Sequence, residues 1–232
     1  MKNLKVFVLI ISIACLSFRC VEPAKKSVES NGDEKEIANE NILIQSPGDA
    51  IKELKNGNKR FLQNSFINTD YKKQIEQTQM GQKPHSVILA CMDSRVPPEI
   101  IFDQGIGNIF VVRVAGNIEN EDVLGSFEYA VEHAHSKLIV VMGHSHCGAV
   151  TGAVEDFKLE NLTQLLDQIK PAIKSDSNDP GIIEETAKNN VKITIADILN
   201  RSVTINDLVK DKKISIVGAF YNIETGEVHF ME

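Results

Sequence analysis

The chemistry legible in this chain sits in two clusters of reactive side chains. Cys91-Met92-Asp93-Ser94-Arg95 follows the apolar run Val87 to Ala90, and Gly143-His144-Ser145-His146-Cys147-Gly148 follows Leu138 to Met142. Each run reads as a short buried strand, so thiol, carboxylate, guanidinium and imidazole groups gather at strand ends. Side chains alternate along a strand, and in extended backbone Cys91, Asp93 and Arg95 would leave it on one side. His144 and Cys147 stand three apart at a strand-to-helix turn, a spacing that can bring both to one ion. Zinc with three protein ligands and one open position is a standard catalytic arrangement, and two cysteines with a histidine are one of its forms. Cys91, His144 and Cys147 supply that set. Cys147 would lie near a helix N-terminus, where the dipole favours a thiolate.

Two thiolates neutralise the dication, so bound water would be less acidified than on zinc held by three imidazoles. Asp93 and Arg95 could compensate. Asp93 would accept a hydrogen bond from the zinc-bound oxygen, and Arg95 would keep Asp93 ionised through a two-pronged contact. Asp93 is also close enough in sequence to Cys91 to swing in as a fourth ligand and shut the site. Simpler readings compete. Cys91 and Cys147 could form a disulfide in an exported protein, and Asp93–Arg95 could be an ordinary exposed ion pair. The company each keeps argues against both. His146 is one residue off the His-x-x-Cys register and reads as a polar turn residue or a proton relay. His133 and His135 fall at a helix end, and His85 and His229 carry no signal.

The elements that must position these groups follow from periodicity and punctuation. Ser46-Pro47-Gly48-Asp49 is a helix start, with Ser as N-cap and Pro at the first helical position. Ile51, Leu54, Phe61 and Leu62 give that helix its apolar stripe. A more polar helix over Tyr71 to Met80 precedes the first strand. Pro97-Pro98 opens a short helix ending near Gly105, and Ile109 to Val114 is a second buried strand. Glu119 to His135 has a helical apolar repeat, then comes the strand Leu138 to Met142 and a helix from about Cys147. Asn161 to Lys174 and Ile182 to Asn200 look helical, although Val191 to Ile195 also alternates like a strand and periodicity leaves that choice open. Ile214 to Phe220 and Val228 to Met231 are strands joined by a turn at Glu224-Thr225-Gly226. Alternating strands and helices predict an α/β fold, a central mostly parallel sheet flanked by helices. Ligands in such sheets bind at the carboxyl ends of the strands, where both clusters lie.

The 232 residues are 42% hydrophobic with no tryptophan, consistent with one globular domain. A formal charge of -7 argues against a nucleic-acid partner. Lys2 and Lys5 followed by the apolar run Val6 to Leu16 predict an export signal over residues 1–20, the alternative being a retained N-terminal anchor. Cys20 stands where a bacterial lipoprotein carries its acylated cysteine, although Ser17-Phe18-Arg19 lacks the small residue usual just before it. The expected location is therefore the periplasm, or a membrane to which a lipid at Cys20 tethers the protein. Residues 21–45 are a polar tether poor in apolar side chains, and residues 46–232 form the single catalytic domain.

Cys91-Met-Asp93-Ser-Arg95 and Gly143-His144-Ser-His-Cys147-Gly148 resemble the two signature motifs of the beta-class carbonic anhydrases. Val112-Arg113-Val-Ala-Gly116-Asn117, Ile216-Val-Gly218-Ala-Phe-Tyr221 and Thr225-Gly226 are also similar to that family. The resemblance runs from about Ser46 to the C-terminus. It implies one zinc per chain on Cys91, His144 and Cys147, with Asp93 and Arg95 as the catalytic dyad. It implies reversible hydration of carbon dioxide to bicarbonate and a proton, by attack of zinc-bound hydroxide. It further implies a homodimer or a multiple of dimers with N-terminal helices packed across the dimer, and it favours the helical reading of Val191 to Asn200. Two rivals are hydrolases of carbonyl sulfide or carbon disulfide, to which the same resemblance extends, and an exported protein whose zinc is structural or stored.

Overall fold

A computed structural model describes residues 44–176 and 179–231. The expected export signal, Cys20 and nearly all of the expected tether lie outside the described residues. Five strands form one sheet in the order β2-β1-β3-β4-β5. They are β1 (Ser86–Ala90), β2 (Ile109–Arg113), β3 (Leu138–His144), β4 (Ser215–Tyr221) and β5 (Val228–Phe230). The first four pair in parallel and β5 joins β4 antiparallel. Every residue of β1 and β3 is buried, as strands covered on both faces must be. The period of two sorts their side chains between two cores. Val87, Leu89, Ile139 and Val141 face one core, and Ile88, Ala90, Val140 and Met142 face the other.

Helices close both faces. α1 (Pro47–Leu62) and α3 (Pro98–Ile101) cover one side through Ala50, Leu54 and Ile101, while α2 (Tyr71–Thr78) buries no residue. On the other side lie α4 (Glu121–Glu128), α7 (Ile182–Arg201) and α8 (Val203–Lys210), through Phe127, Val191, Ile198 and Ile205. α5 (Gly148–Val154) and α6 (Glu160–Ile169) pack near the site with Val150, Leu166 and Ile169. α1 begins as its sequence predicts. The Ser46 hydroxyl accepts from the Asp49 N–H, and the Asp49 carboxylate accepts from the Ser46 N–H at 2.9 Å. Ile44, at the end of the expected tether, packs against the core.

Several bounds differ from expectation for local reasons. β3 runs on to His144 because Gly143 and His144 pair with Phe220 and Tyr221 of β4, so His144 ends a strand rather than starting a turn. α4 starts at Glu121, where Asn120 caps the Val123 N–H. It then gives way to a wider π turn over Tyr129–His133. α6 stops at Ile169, and a single tight turn over Lys170–Ala172 replaces its last part, because Pro171 has no N–H to continue the ladder. Residues 191–195 are helical, within α7. Gly143 allows that helix to sit close. A Cβ there would come within 2.8 Å of Val191 Cγ2 and 3.3 Å of the Ala187 carbonyl.

Candidate metal centre

The chain passes from β1 to β2 on one side and then to β3 on the other, so β1 and β3 flank the point where strand order reverses. Crevices at such points bind ligands at the strands' carboxyl ends. Ala90 and Met142 are the last registered pair of β1 and β3. Cys91 therefore follows directly beside Gly143, and His144 lies one residue beyond. Cys147 is the N-cap residue of α5, so a strand end, a neighbouring strand end and a helix start converge.

The three side chains are buried, and their ligand atoms lie within 4.8 Å of one another. The two sulfurs are 3.9 Å apart, and both cysteines are free. A tetrahedral zinc with bonds of about 2.3 Å would hold two sulfurs about 3.8 Å apart. His144 Nδ1 lies 2.8 Å from the Ser145 carbonyl, which can only accept, so Nδ1 carries the proton. Its Nε2 is buried without a hydrogen-bond partner, the condition of a metal-ligating nitrogen whose other ring N–H is anchored. The turn after it is fixed as well. The Ser145 N–H donates to the Tyr221 carbonyl at 3.0 Å, and the Ser145 hydroxyl accepts from the Ile223 N–H.

The two sulfurs perturb one another. The hydrogen bond from the Cys147 thiol, aided by the nearby His144 ring and the Gly116 N–H, pulls the Cys91 pKa down; the bond to Cys91 and burial push Cys147 up. A dication between them removes the conflict and lets both ionise. The donor set, its burial and the orphaned nitrogen fit zinc.

Asp93 and Arg95 stand beside this cluster in a two-pronged contact. Arg95 Nε donates to Asp93 Oδ1 at 2.9 Å and Nη2 to Oδ2 at 2.7 Å. Strand alternation does not bring them together. The chain turns at once, the Val96 N–H donating to the Asp93 carbonyl and the Arg95 N–H to Asp93 Oδ1 at 2.9 Å. That is an Asx-turn, in which the aspartate organises its own backbone. The Arg95 contacts hold the Asp93 carboxyl well below the usual carboxylate range. With both oxygens on Arg95, Asp93 is not among the clustered ligands; the closed arrangement is not the one observed.

A family model described as carbonic anhydrase matches residues 86–228. Carbonic anhydrase 2 of Mycobacterium tuberculosis is 38% identical over 192 residues, covering 78% of this chain and 91% of that protein. The solved structure of the beta-carbonic anhydrase CcaA has a TM-score of 0.63 and 29% identity, covering 79% of this chain and 95% of that one. A tetrameric beta-carbonic anhydrase of the ascomycete Sordaria macrospora gives 0.62 and 26%, covering 69% and 90%. The chain belongs to the beta-class carbonic anhydrases. Enzymes of this class use zinc, and the Cys91-His144-Cys147 group could hold one such ion here.

Other side chains of this carbonic anhydrase were not given a role by the sequence. Arg113, the last residue of β2, donates from Nε to the Cys91 carbonyl at 3.1 Å and from Nη2 to the Asp93 carbonyl, pinning the loop that carries both. Its place in the Val-Arg-Val-Ala-Gly-Asn stretch was the only available signal. His85 is no idle residue. Its ring bonds the Ser86 hydroxyl at 2.8 Å and Gln104 Oε1 at 3.0 Å, at the opposite end of β1 from the metal. His146 is exposed, 3.0 Å from Glu224 Oε1, and its carbonyl lies 3.5 Å from Arg95 Nη2. His133 stacks on Tyr129, His135 ends that helix with a positive φ, and His229 stays exposed beside Glu227.

Proposed function

We propose that this protein hydrates carbon dioxide reversibly to bicarbonate and a proton, with zinc on Cys91, His144 and Cys147 and with Asp93 and Arg95 as catalytic pair. The observation that carries the reading is the buried, unpartnered Nε2 of His144, facing two free thiols beside an arginine-clamped carboxylate. Bound zinc supplies the Lewis acidity that makes water a nucleophile near neutral pH. Asp93, ionised, accepts a hydrogen bond from the attacking water and turns its lone pair toward the carbon. Arg95 keeps that carboxylate charged and in one orientation, and its half-exposed guanidinium leaves the pair open to solvent, where proton and bicarbonate depart. An outward swing of Arg95 would free Asp93 to close the site as a fourth ligand.

A second copy of the chain is part of the proposal. α2 buries nothing within one chain, Tyr71 and Ile75 stand exposed on it, and the edge strand β2 is only half-buried. These surfaces suit a homodimer, or a multiple of dimers, with N-terminal helices packed across it. Export to the periplasm, with or without a lipid at Cys20, rests on the basic start and the apolar run Val6 to Leu16. No helix among the described residues is long and apolar enough to cross a membrane.

The test is Asp93→Asn in stopped-flow carbon dioxide hydration, with zinc measured on the same sample. Hydration should fall by about 100-fold or more while zinc stays at one per chain. Undiminished turnover at full zinc occupancy would remove Asp93 from the reaction.

A further inference from the structure

We propose that Asn190, in the middle of α7, is a positioning residue for the Cys91 sulfur, acting through the backbone of Gly116. The inference rests on the reading of Cys91, His144 and Cys147 as the zinc ligands. Asn190 is almost fully buried and donates from Nδ2 to the Gly116 carbonyl at 2.7 Å. The N–H of the same glycine donates to Cys91 Sγ, 3.4 Å away, in a buried contact. One residue thus takes a side-chain hydrogen bond on its carbonyl and passes its own N–H to a metal ligand.

Gly116 cannot hold that geometry unaided. It lies in a tight turn over Ala115–Asn117 with φ at 69°, the left-handed region that glycine enters freely and leaves as freely. A Cβ there would meet Ile169 Cδ1 at 2.5 Å and Ala149 Cβ at 3.3 Å. The Asn190 amide holds the Gly116 carbonyl. Thr194, one turn further along α7, reaches the neighbouring Asn117 carbonyl at a longer 3.5 Å. α7 is itself anchored against β3 at Gly143, next to His144. The helix therefore holds the His144 strand and the Cys91 donor in one frame.

The consequence is electronic as well as steric. An N–H aimed at a thiolate draws density from the sulfur, so Cys91 donates less charge to zinc and the metal remains a stronger Lewis acid. That offsets part of the neutralisation that two thiolates impose, independently of Asp93. The Asp93 N–H also faces the Cys91 sulfur, so loss of the Gly116 contact weakens the effect without abolishing it.

Full-length wild type, Asn190→Ala, Asn190→Asp and Thr194→Val would be compared for zinc affinity by competition with a chromophoric chelator. Each would also be loaded with cobalt(II) to record the sulfur-to-metal charge-transfer band. Both Asn190 variants should bind zinc about 10- to 100-fold more weakly, because a Cys91 sulfur no longer held in place costs more affinity than its greater electron donation returns. Their band should move to lower energy, because a sulfur relieved of its N–H gives up electrons more easily. Thr194→Val should leave band and affinity near wild type. Unchanged affinity and band in either folded Asn190 variant would overturn the proposal, as would an equal shift in Thr194→Val, which marks a packing effect. Asn190→Asp keeps the residue's size and decides the matter where Asn190→Ala does not fold. Wild type that takes up no zinc would instead sink the reading of the ligands.

Discussion

His144 is held at one nitrogen and left open at the other, and the role of the metal follows from that asymmetry. His144→Ala should lose most of its zinc at neutral pH, and Cys147→Ser likewise, as metal analysis after dialysis against a mild chelator would report; zinc retained at one per chain in either would mean that other ligands hold it. The five candidate site residues stood out in the sequence because reactive types crowd two strand ends, where a core element has no use for them. Their mutual geometry was only partly legible. Strand alternation ends with β1 at Ala90, and Arg95 reaches Asp93 through an Asx-turn made by the aspartate's own carboxylate. Arg113 and Asn190 were beyond reach, because each acts on a backbone group made adjacent by the fold, Asn190 across 74 positions.

Among the elements, the strands and most helices were readable from period and punctuation, and the failures have specific causes. β3 is longer than its apolar run because β4 pairs with it over seven residues, as far as His144. α7 is ambiguous over residues 191–195 because its buried face carries Thr186, Asn190 and Thr194, which break the apolar stripe. α4 packs Phe127, fully buried, into the core over the sheet. Phe127→Ala should cost about 3–5 kcal/mol in urea denaturation, and a loss under about 1 kcal/mol would mean that this helix is not anchored there. The start of β1 carries a pH dependence. Burial pushes the His85 pKa below its ordinary value of about 6.5, partly opposed by Gln104 and Glu53. The unfolded chain then takes up a proton before the folded one does, so stability is full above that value and falls as pH drops toward the folded pKa. Thermal unfolding from pH 7.5 to 5 should show a decline that His85→Gln flattens; identical profiles would remove His85 as its source.

At the scale of the whole molecule, parallel strands bury both faces of β1 and β3 and leave their carboxyl ends as the place where chemistry can face solvent. That architecture was predictable from alternating strand and helix signals. For the proposed dimer, the resemblance pointed to the N-terminal helices, while the exposed apolar residues of α2 and the half-buried edge β2 emerge only from the packing of one chain. Sedimentation at micromolar concentration should report a dimer or a multiple of it, and a stable monomer would contradict the proposed assembly. The proposed role of one zinc on Cys91, His144 and Cys147 in carbon dioxide hydration is open to stopped-flow measurement on the purified protein, with zinc counted in the same sample. About one zinc per chain is expected, as the three-ligand site requires, with a catalysed rate that vanishes on chelation and returns with zinc. Full zinc occupancy with no catalysed hydration from about pH 6 to 9 would contradict that role.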